Sequence, residues 1–433
     1  MSDGLTKPVF PRRPRRVVRA VASTISSRRF GFNPVDDTLN LQSALNLGSV
    51  VDVAVMGGVP HHCGPLLMGK NDSGLTLRSG VEVRAKSGLF SGIYSSLVSG
   101  VEKDGVSVYG QGGVLRMLGP NEGGASASEF RHCFTARACT NVSLSGVAFA
   151  NSGGDGIYIG FSEAAAGDST DQASCSDVEV RGCSTSSAYR CGMSVTACRS
   201  CLVDSCSFVG TSGVAPQAGI DVEPSLRTHS MVDVTVSRCK SSGNAGVGFV
   251  CNLYDIDNGT AADNHPSVLF DQCSSSADGY GLRARRRRGN SGDSSVNPTE
   301  DSDVGPDGTM EFRNCSTVGA LYNSLLVEWQ AWGKIVLRLT NCTFRHTSAS
   351  YAPILLNFVG LGSAQPANGG VVFDNCTVYD TINRSPVDKV FDDAFVNANN
   401  CRATGTIRVV NPALPLGAYN VGIPGLTVTV VSA

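Results

Sequence analysis

Charged and aromatic side chains are scarce in this 433-residue chain. Charged residues make up 17% and aromatic residues 7%, with only two Trp, whereas soluble domains average about 25% charged residues. The net charge of −2 gives no general attraction to nucleic acid. No apolar run reaches the length of about 18 residues that a membrane-spanning helix needs. Helix bundles and coiled coils are disfavoured as well, because they require many Leu, Glu and Lys.

Glycine and cysteine are abundant instead, with 50 Gly and 16 Cys. Short strands and tight turns account for such a composition. Cys198 and Cys201 form a lone CxxC without a second pair at zinc-finger distance, so metal binding by cysteines is disfavoured. Because about half of the cysteines recur at one repeat position, we interpret them as small buried apolar side chains, reduced in a non-oxidising compartment.

The N-terminal segment is basic. From Lys7 to Arg29 it contains no acidic residue and seven Arg. An organelle transit peptide, a basic arm that docks on a partner or anionic surface, and a disordered leader are all consistent with it. We therefore treat residues 1–30 as an arm or leader and residues 31–433 as one domain; the sequence leaves open whether the protein is virion-associated or targeted to an organelle.

A repeat dominates the rest of the chain. Short strands of alternating apolar and polar residues end in a Cys that is followed by a small or polar residue, with a mean step of about 31 residues. A second strand recurs between them, from GIYIG (156–160) through GIDVE (219–223) and GVGFV (246–250) to ILLNF (354–358). No single repeat can bury its apolar face, so the repeats must stack. The shared cysteines are Cys183, Cys206, Cys239, Cys273, Cys315, Cys342 and Cys376, and Cys401 is expected to be the eighth.

These repeats resemble the right-handed parallel β-helix, pectate-lyase-like superfamily, and GGDGIYIG (153–160) and AGIDVEP (218–224) are similar to motifs of bacterial and phage tailspike-like proteins. The resemblance implies an all-β, single-stranded solenoid of about ten rungs. DDTLNLQSALNLG (36–48) resembles the short helix that caps such solenoids, with Thr38 as its N-cap and Leu39, Leu41 and Leu45 facing inward. Because the superfamily contains hydrolases, lyases, epimerases and adhesins, the resemblance leaves the activity open.

One stretch breaks the repeat. Residues 284–308 are charged and rich in Ser, Gly and Pro, which predicts a loop inserted between rungs. Arg283 and Arg285–Arg288 precede five acidic residues in it. We expect a solvated loop that neutralises itself, with a polyanion-binding patch as the alternative.

Outward-facing side chains of stacked strands form a linear groove suited to a polysaccharide. Ile220 and Val222 point inward, so Asp221 and Glu223 are expected to point outward, about 6.5–7 Å apart. Asp155 and Arg190 lie at the corresponding turns of the two preceding rungs. These four residues should therefore converge on one surface.

Paired carboxylates indicate glycoside hydrolysis, in which one group protonates the leaving oxygen and the other activates water or attacks. The expected spacing is close to the range of about 6.5–9.5 Å that implies inversion. The predicted catalytic residues are Asp155, Asp221, Glu223 and His132, the last as a general base. The predicted substrate-binding residues are Arg190, Tyr158, Glu129 and Arg131, with Tyr158 stacking on the sugar. His61 and His62 are weaker candidates.

Two alternatives remain: a lyase acting on a uronic-acid polymer, and a non-catalytic glycan-binding or structural spike. A hydrolase needs no cofactor, whereas a lyase would use Ca²⁺, for which Asp168, Asp171 and Asp177 could join Asp221 and Glu223 as oxygen ligands. The expected partner is a polysaccharide, not a nucleic acid or a membrane. Trimeric assembly is expected by analogy with β-helix spikes.

Overall fold

The fold was analysed in a computed structural model of the chain. It describes residues 23–90, 92, 95–120, 129–162, 173–224, 229–253, 265–286, 308–329, 335–358, 370–382, 391–392, 403–420 and 425–432. Short strands make up most of this part, together with a 3₁₀ helix at Ser27–Phe30 and one α-helix, α1, at Thr38–Leu45.

The strands, in chain order, are brief and closely spaced. The first eighteen are β1 Thr24–Ser26, β2 Val50–Val53, β3 His61–Cys63, β4 Leu66–Leu67, β5 Gly74–Leu77, β6 Glu82–Ala85, β7 Val98–Val101, β8 Ser107–Gly110, β9 Val114–Arg116, β10 Phe134–Arg137, β11 Thr140–Ser145, β12 Ala148–Ala150, β13 Ile157–Gly160, β14 Cys175–Arg181, β15 Ser184–Ser186, β16 Cys191–Val195, β17 Cys198–Asp204 and β18 Ser207–Val209. The others are β19 Ala218–Val222, β20 Met231–Ser237, β21 Lys240–Ser242, β22 Val247–Asn252, β23 Ser267–Asp271, β24 Ser274–Ser276, β25 Tyr280–Arg286, β26 Gly308–Arg313, β27 Ser316–Val318, β28 Leu325–Trp329, β29 Ile335–Thr340, β30 Thr343–His346, β31 Ile354–Phe358, β32 Val371–Asp380, β33 Phe391–Asp392, β34 Ala403–Val410, β35 Gly417–Asn420 and β36 Leu426–Val431.

Three successive strands make one rung of a parallel β-helix. From β2 to β31 the pattern completes ten rungs, as the repeat predicts, and β32 and β33 continue it. We call the stacks that contain β2, β3 and β4 the first, second and third faces. The first and second faces belong to one sheet of 25 strands, and the third face is a separate sheet of 11 strands. The third face carries the candidate site.

The recurrent cysteines line the interior, which confirms that they form an internal stack. Cys183, Cys206 and the five that follow at this position are buried. Cys273, for example, donates through its thiol to the backbone oxygen of Val236 at 3.4 Å in the neighbouring rung. Cys401 lies outside the described residues. Phenylalanines also stack inside, with the rings of Phe270 and Phe312 4.8 Å apart.

The residue before each repeat cysteine occupies a turn with positive φ. Asn314, Asn341 and Asn375 have φ between 51° and 55° there, a conformation that Asn tolerates better than most residues because its short polar side chain bonds locally. Their side-chain amides form a ladder: Asn375 donates to Asn341 at 2.7 Å, and Asn341 donates to Asn314 at 3.2 Å. The Asn-Cys-Ser/Thr triplets are therefore explained by turn geometry.

The N-terminal helix caps the solenoid, although two details differ from the sequence-based expectation. Thr38 is the first helical residue rather than the N-cap, which is Asp37. Leu41 and Leu45 are buried as predicted, but Leu39 is 81% exposed. Leu39 belongs to the opposite face of α1, since the inner face is completed by Ala44.

The boundary of the basic segment also differs from the predicted one. Thr24–Ser26 already pairs in parallel with Val50–Asp52, so strand pairing begins before residue 31. Residues 1–22, which contain most of the arginines, lie outside the described part.

The predicted loop at residues 284–308 overlaps a strand at each end, because β25 continues to Arg286 and β26 begins at Gly308. Residues 287–307, with all five acids, lie outside the described residues. Arg283 and Arg285 pair with Glu328 instead, at 2.6 and 2.7 Å. The described part has no helix long and apolar enough to cross a membrane.

Candidate active site

The outer surface of the third face brings distant polar residues into one column. Tyr158 of β13 pairs with Ser194 of β16, and Ser194 pairs with Asp221 of β19. Asp155 and Arg190 lie just before β13 and β16, at the turns that lead into these strands. The stacking of three rungs therefore places both turns beside Asp221.

Arg190 is the centre of the cluster. Its guanidinium nitrogens lie 3.2 Å from a carboxylate oxygen of Glu129, 3.6 Å from Asp155, 3.8 Å from Asp221 and 3.6 Å from Glu223. One positive charge thus faces four acidic side chains that come from three separate stretches of sequence. Burial alone would lower the pKa of Arg190. The pKa is nevertheless raised, because the negative charges of Asp155, Asp221 and Glu223 outweigh the effect of burial.

Two of these carboxylates are deeper than the sequence predicts. Asp155 is 0% and Asp221 is 1% exposed, although the alternation of β19 correctly places Asp221 outside the solenoid core. The solvent-facing members are the side chains of Glu223 and Glu129, which are 30% and 37% exposed. Strand alternation separates inside from outside, but it does not show which outer residues are covered by neighbouring side chains.

Asp155 is held by the backbone and by charge. Its Oδ1 accepts a hydrogen bond from the backbone N–H of Cys191 at 3.0 Å, whereas its Oδ2 has no hydrogen-bond partner among the described residues. Burial raises the pKa of Asp155 to about 6, and the charge of Arg190 opposes that rise. Asp155 is therefore mainly ionised at neutral pH, with one oxygen left to accept a proton.

Asp221 has the opposite character. Within the described part of the chain, neither carboxyl oxygen of Asp221 has a hydrogen-bond partner. Burial raises the pKa of Asp221 well above the usual value, and the negative charge of Glu223 raises it further. The positive charge of Arg190 opposes both effects but is outweighed. The negative charge of Glu223 therefore favours the protonated form of Asp221. Of the two buried carboxyls, Asp221 is thus the one whose surroundings more strongly favour a bound proton.

His132 lies beneath Asp155, and its Nδ1 accepts a hydrogen bond from the backbone N–H of Asp155 at 2.9 Å. The imidazole is stacked on Tyr158, with ring centroids 4.8 Å apart and planes 11° from parallel. Burial lowers the pKa of His132 well below its ordinary value, aided by Arg137 and Arg190. His132 is therefore neutral, and its one ring lone pair is already engaged.

Tyr158 and Arg131 also have partners within the protein. The hydroxyl of Tyr158 lies 3.0 Å from that of Thr196, and one ring face is covered by His132. Arg131 is 1% exposed and donates to the backbone oxygens of Gly92 and Pro120 at 3.2 and 3.3 Å. These contacts favour positioning roles over the direct sugar contacts expected from the sequence.

The N-terminal histidines are distant in sequence from this cluster and form hydrogen bonds near the capping helix. Buried His61 binds the carboxylate of Asp37 at 2.6 Å and the backbone oxygen of Ala54 at 2.8 Å. His62 bonds to the backbone oxygen of Pro34 at 3.0 Å.

Asn252 is a member of the cluster that the sequence analysis missed. Its side-chain amide donates to Glu223 at 2.5 Å. The sequence alignment matches Gly246 with Gly219, whereas in the structure Gly248 stacks on Gly219, because Ile220 pairs with Phe249. This shift of two residues moves Asn252 into the column of Glu223. A second apolar-polar alternation that includes Cys251 and Asn252 is the signal that could have revealed it.

The calcium ligands considered for a lyase are only partly within the described residues. Asp168 and Asp171 lie outside the described residues, and Asp177 is on β14 of the first face. Within the described ranges, no group of three or more His, Cys, Asp or Glu side chains is arranged to hold a metal ion.

Comparisons with known proteins identify the fold. No protein-family model and no curated protein matches the chain. A polygalacturonase from Erwinia carotovora ssp. carotovora superposes with a TM-score of 0.55 and 11% identity over 89% of this chain and 98% of that one. A family 28 exopolygalacturonase from Yersinia enterocolitica gives 0.51 and 13% identity over 91% and 75%. At such low identity the similarity concerns the fold alone, and the chain has the right-handed parallel β-helix fold that the sequence predicts.

Proposed function

We propose that this protein is a glycoside hydrolase that cleaves a polysaccharide at the Arg190 cluster. The observation that carries the proposal is the contrast between two buried carboxyls beside one guanidinium. Burial and the charge of Glu223 raise the pKa of Asp221 well above its usual value, whereas burial raises that of Asp155 to about 6 against the charge of Arg190. Buried carboxyl oxygens without partners are rare in folded proteins and call for a ligand, a water molecule or a catalytic role.

In this scheme the Asp221–Glu223 pair is the general acid. Asp221 stores the proton in an environment that disfavours its charge, and Glu223 brings the pair to solvent. Protonation of the glycosidic oxygen by this pair lets the leaving sugar depart as a neutral alcohol. Asn252 fixes the orientation of Glu223 through its hydrogen bond.

Asp155 is the general base. Its free Oδ2 accepts a proton from a water molecule, and the water oxygen then bonds to the anomeric carbon as the glycosidic bond breaks. Arg190 keeps Asp155 ionised despite its burial. His132 positions the backbone of Asp155 and does not exchange a proton. We expect inversion of the anomeric configuration, because the base acts through water and not as a nucleophile.

Arg190 and Glu129 contact the sugar in this scheme. The guanidinium of Arg190 pairs with Glu129, which is the most exposed of the four acids. A substrate hydroxyl or carboxylate can therefore accept hydrogen bonds from the same guanidinium. The fold supports a carbohydrate substrate, since both solved structures described above are polygalacturonases. The substrate is therefore proposed to be a polymer laid along the third face.

The test uses the purified full-length protein and a panel of soluble polysaccharides that includes polygalacturonate, alginate, xylan and dextran. We expect new reducing ends from at least one polymer, without the ultraviolet absorbance of an unsaturated uronate, and the inverted anomer in the first product seen by proton NMR. The absorbance of an unsaturated product would replace the proposal with a lyase. Binding without any cleavage would replace it with a glycan-binding protein.

A further inference from the structure

A wall of three tyrosines lies further along the third face, beyond the Arg190 cluster. The rings of Tyr280 and Tyr322 are 5.0 Å apart, and those of Tyr322 and Tyr351 are 5.2 Å apart. They come from three successive rungs, just before or at the start of β25, β28 and β31. Tyr322 and Tyr351 are 36% and 40% exposed, which is unusual for neighbouring aromatic rings in a chain with so few of them.

The backbone fixes the wall in place. The N–H of Tyr322 donates to the backbone oxygen of Gly279 at 2.8 Å, and that of Leu321 donates to Asp278 at 2.9 Å. The imidazole of His346 bonds to the backbone oxygen of Tyr351 at 2.8 Å. The rings are thus presented by anchored turns, which lowers the entropy that a ligand must overcome on binding.

An apolar strip connects the wall to the Arg190 cluster. Cys191, Ala218, Val247 and Val250 form a small cluster separate from the solenoid core, and Tyr280 packs against it. Cys191 also belongs to the acidic site, since its N–H binds Asp155. The column of Asp221 continues through Val250 to Arg283. All four strip residues are buried. The strip therefore packs beneath the third face and links the wall to the proposed catalytic groups through side-chain packing and strand register.

Polar groups border the wall. Arg283 donates two hydrogen bonds to Glu328, at 2.9 and 2.6 Å, and Arg285 lies 2.7 Å from the same carboxylate. Both guanidinium groups thus place N–H donors beside this carboxylate. Such donors suit the hydroxyl groups around the rim of a sugar ring, whereas the tyrosine faces suit its apolar C–H face.

We propose that the tyrosine wall is a sugar-binding subsite that holds the polysaccharide several sugar units away from the bond that is cleaved. Three rungs separate Tyr322 from Asp221, which is about 14 Å along the axis of the solenoid. The inference builds on the proposed function, because it assigns the direction in which the polymer leaves the Arg190 cluster. Cleavage should therefore depend on chain length.

Affinity electrophoresis tests the subsite without requiring turnover. The full-length protein is run in native gels that contain polygalacturonate, alginate, xylan or dextran. We expect at least one polymer to retard the wild type, and Tyr322→Ala and Tyr351→Ala to weaken binding about tenfold each. Tyr109→Ala removes an equally exposed tyrosine from β8 on the first face and should bind like the wild type.

The outcomes separate the subsite from the catalytic proposal. Retardation that disappears in the Tyr322 and Tyr351 variants supports the subsite even if no polymer is cleaved. Unchanged retardation in both variants would overturn it, and so would the absence of retardation of the wild type in every gel. Tyr322→Leu guards against a folding defect, since it keeps apolar bulk; it should melt like the wild type and still bind more weakly.

Discussion

The backbone N–H of Asp155 donates a hydrogen bond to Nδ1 of His132 across 2.9 Å. The distance of 3.6 Å between this nitrogen and Oδ2 of Asp155 therefore does not represent an ion pair, because Nδ1 carries no proton. The histidine is a neutral acceptor that fixes the turn on which the proposed base is carried. His132 differs in this respect from a general base, which needs a free lone pair directed at its substrate.

Replacement of His132 distinguishes these roles. His132→Asn supplies a side-chain oxygen to accept the Asp155 N–H, and we expect it to keep most of the activity and the shape of the pH–rate profile. His132→Leu leaves that buried N–H without a partner and should lower the free energy of unfolding by about 1–3 kcal/mol in urea titrations. Loss of the acidic limb of the profile in the Asn variant would instead identify His132 as the base.

Asp221 should reduce the stability of the native protein at neutral pH. Its pKa is raised in the folded state. Below about pH 4 Asp221 is protonated in both the folded and the unfolded state and does not destabilise the protein. As the pH rises toward the folded pKa, the unfolded state gains stability because Asp221 ionises there first. Asp221→Asn removes this cost. We expect the variant to unfold at a higher urea concentration at pH 7, by about 1 kcal/mol or more, and the gain to vanish near pH 4.

Asp278 is the matched control for this stability measurement. It too is buried, but it accepts hydrogen bonds from the backbone of Asn244 at 2.8 Å and from Ser275 at 2.6 Å. Asp278→Ala breaks these bonds and should destabilise the protein by about 1–3 kcal/mol. If Asp221→Asn were as destabilising, Asp221 would have to be an ionised partner of Arg190 rather than a stored proton.

The pH dependence of hydrolysis should follow the two proposed catalytic groups. Activity should rise through about pH 6 as Asp155 ionises and fall at higher pH when Asp221, whose pKa is raised by burial, loses its proton. Arg190→Gln removes the charge that lowers the pKa of Asp155, so its acidic limb should move to higher pH. Arg78→Gln, which disrupts an exposed pair with Asp52, is the control and should leave the profile in place. An unchanged acidic limb in the Arg190 variant would exclude Asp155 as the base.

The internal cysteines should be inert in the native protein. All cysteines within the described ranges are buried and unpaired as disulfides, and burial raises the pKa of Cys175 to about 12. We expect iodoacetamide to leave Cys183, Cys273 and Cys315, whose pKa values are also raised, unlabelled under native conditions, and to label them after unfolding in guanidinium, as measured by peptide mass spectrometry. Native labelling at these positions would show that the stack opens, or that the strands pair differently.

The sequence predicts the solenoid well because the fold repeats its local pattern. Each rung places an apolar side chain inward at the same position, so the column of Cys206, Cys239 and Cys273 is visible without coordinates. The exposure of Leu39 was missed because a two-turn helix carries too few apolar residues to define its inner face by spacing alone.

The site was only partly predictable. Strand register brings Asp155, Arg190 and Asp221 together, but the two-residue shift at Gly248 hid Asn252, because the turn before β22 differs in length from its neighbours. Burial of Asp155 depends on side chains from other rungs, and strand alternation contains no information about them. The same holds for His132, whose role follows from a backbone hydrogen bond across 23 residues of sequence.

The central claim is that a protonated Asp221 and an ionised Asp155 together hydrolyse a glycosidic bond. The most direct measurement is the rate of reducing-end release from the polysaccharide that the wild type cleaves, compared among Asp221→Asn, Asp155→Asn and the surface control Asp52→Asn. The account predicts that both site variants lose at least about a hundredfold in rate, while remaining folded and still retarded by the polymer, and that Asp52→Asn matches the wild type. Wild-type rates in both site variants would contradict it.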